Sequence, residues 1–235
     1  MMTFFQTIPS LDVDVDIASV NRSKAEARCY YNSISTYYDT LAASSEKKYV
    51  NTGLEMLAVQ EGEHVLEIGC GTGHALVQIA QSTGKSGHVY GVDISEGMIQ
   101  ISRERLRDHG LSKSVSLVLD DASNLPFSSG TMEAIFISFT LELFHTLDIA
   151  QVLVECRRTL KNQGRICIVS LAKDEPLNFF GRLYEWLHNK FPKALDCRPI
   201  PVQALLHHAD FTIKDHQKET MWSLPVSMTL AAAAK

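Results

Sequence analysis

The chain has 235 residues, 45% of them hydrophobic, which is enough to bury one full core. A net charge of −5, from 22 basic and 27 acidic residues, argues against a grip on nucleic-acid phosphates, which needs a basic face. No apolar run is long enough to cross a bilayer and no basic-then-apolar leader opens the chain. A cytoplasmic protein is therefore expected, touching a membrane at most peripherally if its substrate is lipophilic.

The five cysteines (Cys29, Cys70, Cys156, Cys167 and Cys197) are scattered without a Cys-x-x-Cys pair. Neither a disulfide framework nor a structural zinc site is expected. The nine histidines lack ligand spacing too, so no bound metal is expected.

Residues 1–22 alternate Asp12, Asp14 and Asp16 with Val13, Val15 and Ile17, and read as a short edge strand or an N-terminal arm. Residues 23–235 read as a single domain. Ser23 to Asp39 is helical in character and rich in tyrosine (Tyr30, Tyr31, Tyr37, Tyr38), whose rings either cover a small polar ligand or pack the helix onto a sheet. A second helix, about Glu46 to Val59, carries Tyr49, Val50, Leu54, Leu57 and Ala58 at helical spacing.

Strands then alternate with helices. The pattern predicts strands at His64–Ile68, His88–Val92, Val115–Leu119, Ala134–Phe139 and Arg165–Leu171. Helices are predicted at His74–Ser82, Glu96–His109 and Leu147–Leu160, the last stopped by a turn at Asn162-Gln163-Gly164. Apolar strands separated by amphipathic helices imply a parallel sheet covered on both faces, with every strand's carboxyl end on one edge. Residues 172–210 break the rhythm as an insert. It holds a helix with a broad apolar face (Leu177, Phe179, Phe180, Leu183, Tyr184, Trp186), a proline-punctuated loop and a short helix, Val202 to His208. Phe211–Lys218 and Met221–Thr229 read as an antiparallel hairpin at the sheet's edge, and Ala231 to Ala234 with Lys235 as a helical or unstructured tail.

The stretch Val65-Leu66-Glu67-Ile68-Gly69-Cys70-Gly71-Thr72-Gly73 ends the first strand in three closely spaced glycines before a helix. Such a cluster means a sharp turn or a close approach to the backbone. A dinucleotide site wants Gly-x-Gly-x-x-Gly, whereas here the third glycine comes one residue early and His74 takes its place. That spacing suits a nucleoside cofactor without a pyrophosphate. Asp93 at the end of strand two can accept hydrogen bonds from both hydroxyls of a ribose, while Ser95 supplies the cap for the following helix. Leu119-Asp120-Asp121-Ala122 follows strand three and adds an acidic pair, which alone is no more than a turn.

Together these three ordered motifs resemble the class I S-adenosylmethionine-dependent methyltransferases. The resemblance implies a Rossmann-like α/β fold with a mostly parallel seven-stranded sheet, helices on both faces and an antiparallel C-terminal edge hairpin. It implies S-adenosylmethionine as cofactor. Glu67 and Gly69 would lie near the methionine ammonium, Cys70, Gly71 and Gly73 would complete the loop, and Asp93 would hold the ribose. Asp121, or the neighbouring Asp120, would take the adenine amino group with Ala122 offering its N–H. Ile94 and Met98 would wall the adenosine, and Ser138 at the end of strand four would join the same site. Tyr31 and Tyr38 match the aromatic positions of the segment that closes over the cofactor.

Methyl transfer is an in-line displacement that depends on alignment and exclusion of water. A proton acceptor, where one is used, is sought after strand four, where His145 is the candidate. The plainer reading is that His145 orders the loop and Asp148 caps the next helix. The acceptor is expected to be a small hydrophobic or aromatic molecule under the insert, with Phe180, Tyr184 and Arg198 as contacts. The segment from Leu183 to Ile200 resembles the ubiquinone/menaquinone-biosynthesis branch of that family, which makes ring methylation of a prenylated quinol an alternative. A nicotinamide-dependent oxidoreductase and a non-catalytic cofactor-binding protein are the readings outside methyl transfer.

Overall fold

The computed structural model describes residues 23–38, 44–173 and 197–233. The expected N-terminal arm and the expected broad apolar helix with Phe180, Tyr184 and Trp186 lie outside the described residues. Helices α1 (Lys24–Tyr38) and α2 (Ser44–Leu57) precede β1 (His64–Ile68), α3 (His74–Thr83), β2 (His88–Asp93) and α4 (Glu96–Asp108). Next come β3 (Val115–Leu119), β4 (Met132–Ser138), a 3-10 turn (Leu141–Leu143), α5 (Thr146–Thr159) and β5 (Leu160–Leu171). A short α6 (Val202–His208) and the hairpin β6 (Phe211–Met221) and β7 (Leu224–Ala233) close the chain.

The seven strands form one sheet in the order β3-β2-β1-β4-β5-β7-β6. The first five run parallel; β7 is antiparallel to β5, and β6 pairs antiparallel at the edge. The expected fold class is therefore the observed one. Period-two alternation divides the central strands between two cores. Along β4, Ala134 and Phe136 join the cluster of Leu76, Ile79 and Val169, whereas Ile135 and Ile137 join that of Leu66, Val152 and Leu205. Both faces are covered, which is why β4 reads as a continuous apolar run.

Four local expectations are corrected. The turn expected at Asn162-Gln163-Gly164 is an irregularity inside β5: Leu160 pairs with Met132, and pairing resumes with Arg165 opposite Ala134. Burial of Leu160 draws the segment into the sheet, and Gln163 absorbs the extra length at φ 66°. The alanine tail is strand as far as Ala233, because Ala231 and Ala232 pair with Ile166 and Arg165 of β5. The hairpin turns at Trp222 and Ser223, both at positive φ (49° and 68°), so the second run begins at Leu224 rather than Met221. Helix α5 is capped by His145, whose ring nitrogen accepts from Leu147 N at 3.4 Å, and not by Asp148.

Helix α2 lies close on the sheet. A Cβ at Gly53 would stand 2.5 Å from Val169 Cγ2 and 3.1 Å from a Phe136 ring carbon, so only glycine permits this approach. Both neighbours are fully buried and have little room to retreat. Gly53→Val is expected to lower stability by about 1–3 kcal/mol through overpacking, measured by chemical denaturation.

Candidate active site

Right-handed crossovers bring the carboxyl ends of the parallel strands to one edge, and a cavity of about 760 Å³ opens there. The strand order sets its wall in sequence: Asp120, Asp121 and Ala122 after β3, Asp93 and Ile94 at β2, Glu67 to Thr72 at β1, and Ser138 to Thr140 at β4. Three interstrand spacings of about 4.8 Å separate the two ends of that row. Helices α1 and α2 supply the facing wall through Lys24, Tyr31, Glu46 and Val50.

The glycine loop is held to the sheet by its backbone. Gly69 N and Cys70 N both donate to Val92 O, at 2.8 and 3.1 Å, and Gly73 N donates to Cys70 O at 2.9 Å. Gly69, at φ 68°, lies so near the β4 loop that a Cβ would fall 2.2 Å from the Thr140 side chain. At Gly71, φ 51°, a Cβ would meet nothing within 4 Å, leaving the backbone open to a ligand. Helix α4 braces the loop from behind: Ser102 Oγ donates to Gly71 O at 2.8 Å, and the Arg105 guanidinium donates to Thr72 O.

Asp93 joins this loop to α4. Its Oδ2 accepts from Gly71 N at 2.9 Å and its Oδ1 from Ser95 N at 2.8 Å. Burial raises its carboxyl, opposed by those same hydrogen bonds. Glu67 is only 2% exposed, and its Oε2 has no hydrogen-bond partner among the described residues. Burial, with the Asp93 charge behind it, pushes that carboxyl well above the usual carboxylate range. Asp121 behaves in the opposite way. Although burial opposes it, hydrogen bonds from Lys24 and the Ser123 backbone hold its carboxyl below the usual range.

Lys24, at the start of α1, reaches Asp121 Oδ2 at 2.5 Å, Ser123 Oγ at 3.0 Å and Asp148 Oδ2 at 3.5 Å. Further along α1, Asn32 Oδ1 accepts from Ser95 Oγ at 2.7 Å and Gly97 N at 3.0 Å, fixing this helix to the start of α4. Lys24, Asn32, Ser102 and Arg105 went unread in the sequence, since their partners lie far away along the chain. Glu46 was also missed, although it carries a signal: it precedes Val50 by one helical turn, an acid on the apolar stripe.

The remaining predicted residues divide. Tyr31, Ile94, Met98, Asp120, Ala122, Ser138 and His145 line the cavity. Cys70 contributes to the lining, but its side chain belongs to the core and burial pushes the thiol well up, away from reactivity. Gly73 faces Ser102 of α4, 2.7 Å from where its Cβ would stand, instead of the cavity. Tyr38 is the last residue of α1.

Arg198 is corrected. It is fully buried and absent from the cavity wall, and it donates to Glu142 O (3.3 Å), Thr146 Oγ1 (3.1 Å) and Phe144 O. A buried guanidinium needs several acceptors, and the β4–α5 loop provides them. Arg198 therefore holds that loop.

A family model described as a methyltransferase domain matches residues 65–164, from β1 into the irregular start of β5. The chain is 29% identical over 212 residues to the ubiquinone/menaquinone biosynthesis C-methyltransferase UbiE of Burkholderia multivorans, covering 88% of this chain and 83% of that one. It is 28% identical over 149 residues to the demethylmenaquinone methyltransferase of Bacillus subtilis, covering 63% of each. The crystal structure of the cyclase SpnF is similar at a TM-score of 0.73 and 14% identity, over 91% of this chain and 97% of that one. A SAM-dependent methyltransferase from Aquifex aeolicus is similar at a TM-score of 0.65 and 18% identity, over 86% and 98%. A cyclase and a methyltransferase on one scaffold show that these likenesses speak for the fold alone. The methyltransferase-domain match and the methyltransferase relatives carry the activity: they support an S-adenosylmethionine-dependent methyltransferase of class I.

Proposed function

We propose that the chain methylates a small apolar or aromatic acceptor seated at the β4 side of the cavity. The observation that carries this reading is the change of character along the wall. From β3 to β1 it presents Asp121, Asp93 and Glu67, whereas around β4 and α2 it presents Phe139, Leu143, Phe144 and Val50. The polar part suits a nucleoside with an amino-acid tail, and the apolar part suits a ring.

S-Adenosylmethionine supplies, when bound, a methyl group on a positively charged sulfur. The residues present fit it. Both Asp93 oxygens already take one backbone N–H each and keep lone pairs for ribose hydroxyls. Glu67 brings a buried, unpartnered carboxylate oxygen, the complement of an ammonium group. Asp121 and the Ala122 backbone, which line the cavity after β3, would take the adenine edge, with Lys24 already on the carboxylate. Ile94, Met98 and Tyr31 supply apolar walls, and Thr140, whose hydroxyl donates to Ser138 O at 2.8 Å, closes the row at β4. His145 is better accounted for as the cap of α5, with its ring exposed.

Within the aromatic class, a quinol ring carbon is the acceptor favoured by the relatives, whose names place them in ubiquinone and menaquinone biosynthesis. A methyl-transfer screen with labelled cofactor against quinols, phenols, amines and small thiols tests this. Label is expected in the quinols or phenols; intact cofactor binding with label only in amines or thiols would overturn the aromatic reading. Asp93→Asn is expected to weaken S-adenosylmethionine by about 1–3 kcal/mol, read by calorimetry, and an unchanged affinity would remove the ribose role.

Glu67 adds a pH dependence. A carboxyl raised in the fold above its ordinary value of 4.5 costs no stability while protonated and costs more as pH rises past that value. Without ligand, Glu67→Gln should melt higher than the wild type at pH 8 and match it near pH 4. Added S-adenosylmethionine should then raise the variant's melting temperature less than the wild type's.

A further inference from the structure

One acid on the cavity wall is left over by the cofactor roles. Helix α2 sets Glu46, Tyr49, Val50 and Gly53 along one face, and Gly53 rests against Phe136 and Val169 of the sheet. Tyr49 is buried, its hydroxyl donating to Thr220 O at 2.8 Å and its ring edge-on to Phe139 at 6.4 Å. Glu46 thus occupies the first turn of a face otherwise given to the core, and it lines the cavity together with Val50, Phe139 and Leu143. Among the described residues nothing hydrogen-bonds to it or forms an ion pair with it.

Burial alone pushes its carboxyl up to about 7. The charged groups around it are Lys47 of its own helix, the buried Glu142 of the 3-10 turn, and Lys24, His74, Glu67 and His145 elsewhere on the wall, beyond which lie the β2 and β3 acids. Lys24 is already engaged by Asp121 and Asp148. An unneutralised acid facing an apolar subsite is costly to keep, which points to use rather than packing.

We propose that Glu46 is the catalytic base, the carboxylate that takes the proton the acceptor loses on methylation. This rests on the acceptor reading given above. As the acceptor atom bonds to the donated methyl, the methyl–sulfur bond breaks and leaves its electron pair on sulfur. The proton released from the acceptor's hydroxyl or ring carbon passes to a Glu46 carboxylate oxygen and from there to water. A base whose carboxyl titrates near the working pH combines a useful ionised fraction with a useful affinity for the proton.

The test compares full-length wild type, Glu46→Gln and Glu46→Asp. The binding probes are S-adenosylhomocysteine and 1,4-naphthohydroquinone kept reduced, and S-adenosylmethionine is added for turnover. Glu46→Gln is expected to bind S-adenosylhomocysteine as the wild type does and to lose about 100-fold or more in kcat. It should also lose the acidic limb of the pH–rate profile and the pH dependence of naphthohydroquinone binding, and Glu46→Asp should restore both in part. Wild-type turnover and an intact acidic limb in Glu46→Gln would overturn the proposal while leaving the acceptor reading standing. So would parallel losses of S-adenosylhomocysteine affinity, melting temperature and turnover, since those mark a packing residue. A wild type that binds S-adenosylhomocysteine but neither binds nor methylates any aromatic acceptor overturns both readings together.

Discussion

The carboxylate of Asp93 ties together parts of the molecule that meet nowhere else along the chain. One oxygen holds Gly71 N of the β1–α3 loop and the other holds Ser95 N at the start of α4. Helix α4 answers with Ser102 on Gly71 O and Arg105 on Thr72 O, and Ser95 passes the constraint on to Asn32 of α1. A buried carboxylate must find donors, and here the donors are the backbone of the loop that the glycines leave open. The same group that stabilises the loop thereby keeps its remaining lone pairs pointed at one small region. Pre-organisation of the binding edge and satisfaction of a buried charge are one arrangement.

Strand order turns that local arrangement into a linear site. With β1 flanked by β2 and β4, the acids of β3 and β2 fall on one side of the glycine loop and the aromatic wall of β4 on the other. A ligand polar at one end and reactive near its middle is then presented to an apolar compartment with no loop having to reach across the sheet. The apolar side depends on α2 lying close, which Gly53 allows, and on the β4–α5 loop holding its shape. Arg198 secures that loop from beneath with donors to Glu142 O, Phe144 O and Thr146 Oγ1.

Strongly periodic segments were legible, and so was the glycine turn. The strands His64–Ile68 and Val115–Leu119 and the helix Val202–His208 carry their own boundaries in their apolar spacing and neighbouring polar residues. Placing Asp93 at a strand end needed only the period of β2. Features decided by a distant partner were not legible. Ala231 and Ala232 look helical in isolation and become strand because β5 offers them an unpaired edge. Gln163 and Gly164 have turn chemistry, yet the burial of Leu160 keeps the chain in the sheet around them. Lys24 and Asp121 are far apart in sequence, and nothing local announces that α1 would deliver a cation to an acid of the cavity wall. Arg198 was expected to contact the acceptor, whereas three acceptors converging from one loop draw it inside.

The acids around the cavity show how far this edge departs from what stability alone would select. Glu67 is buried with an unpartnered oxygen, and burial pushes Glu46 up to about 7. Glu142 is pushed up to about 8 by burial, although its Oε1 accepts from Leu171 N at 3.2 Å. Each would cost less as an amide or an apolar residue of similar size. The costs are not distributed at random. Asp93 has two backbone donors, Asp121 has Lys24, and Glu142 sits beside the Arg198 guanidinium, so these three are in part compensated within the chain. Glu67 and Glu46 are compensated least among the described residues, and they face the cavity from opposite sides: one from β1 beside the glycine loop, the other from α2 beside the apolar wall. A site that leaves two carboxylates wanting, one where a cation would arrive and one where a proton would be lost, has stored its binding and its chemistry in the same currency of unmet electrostatic demand.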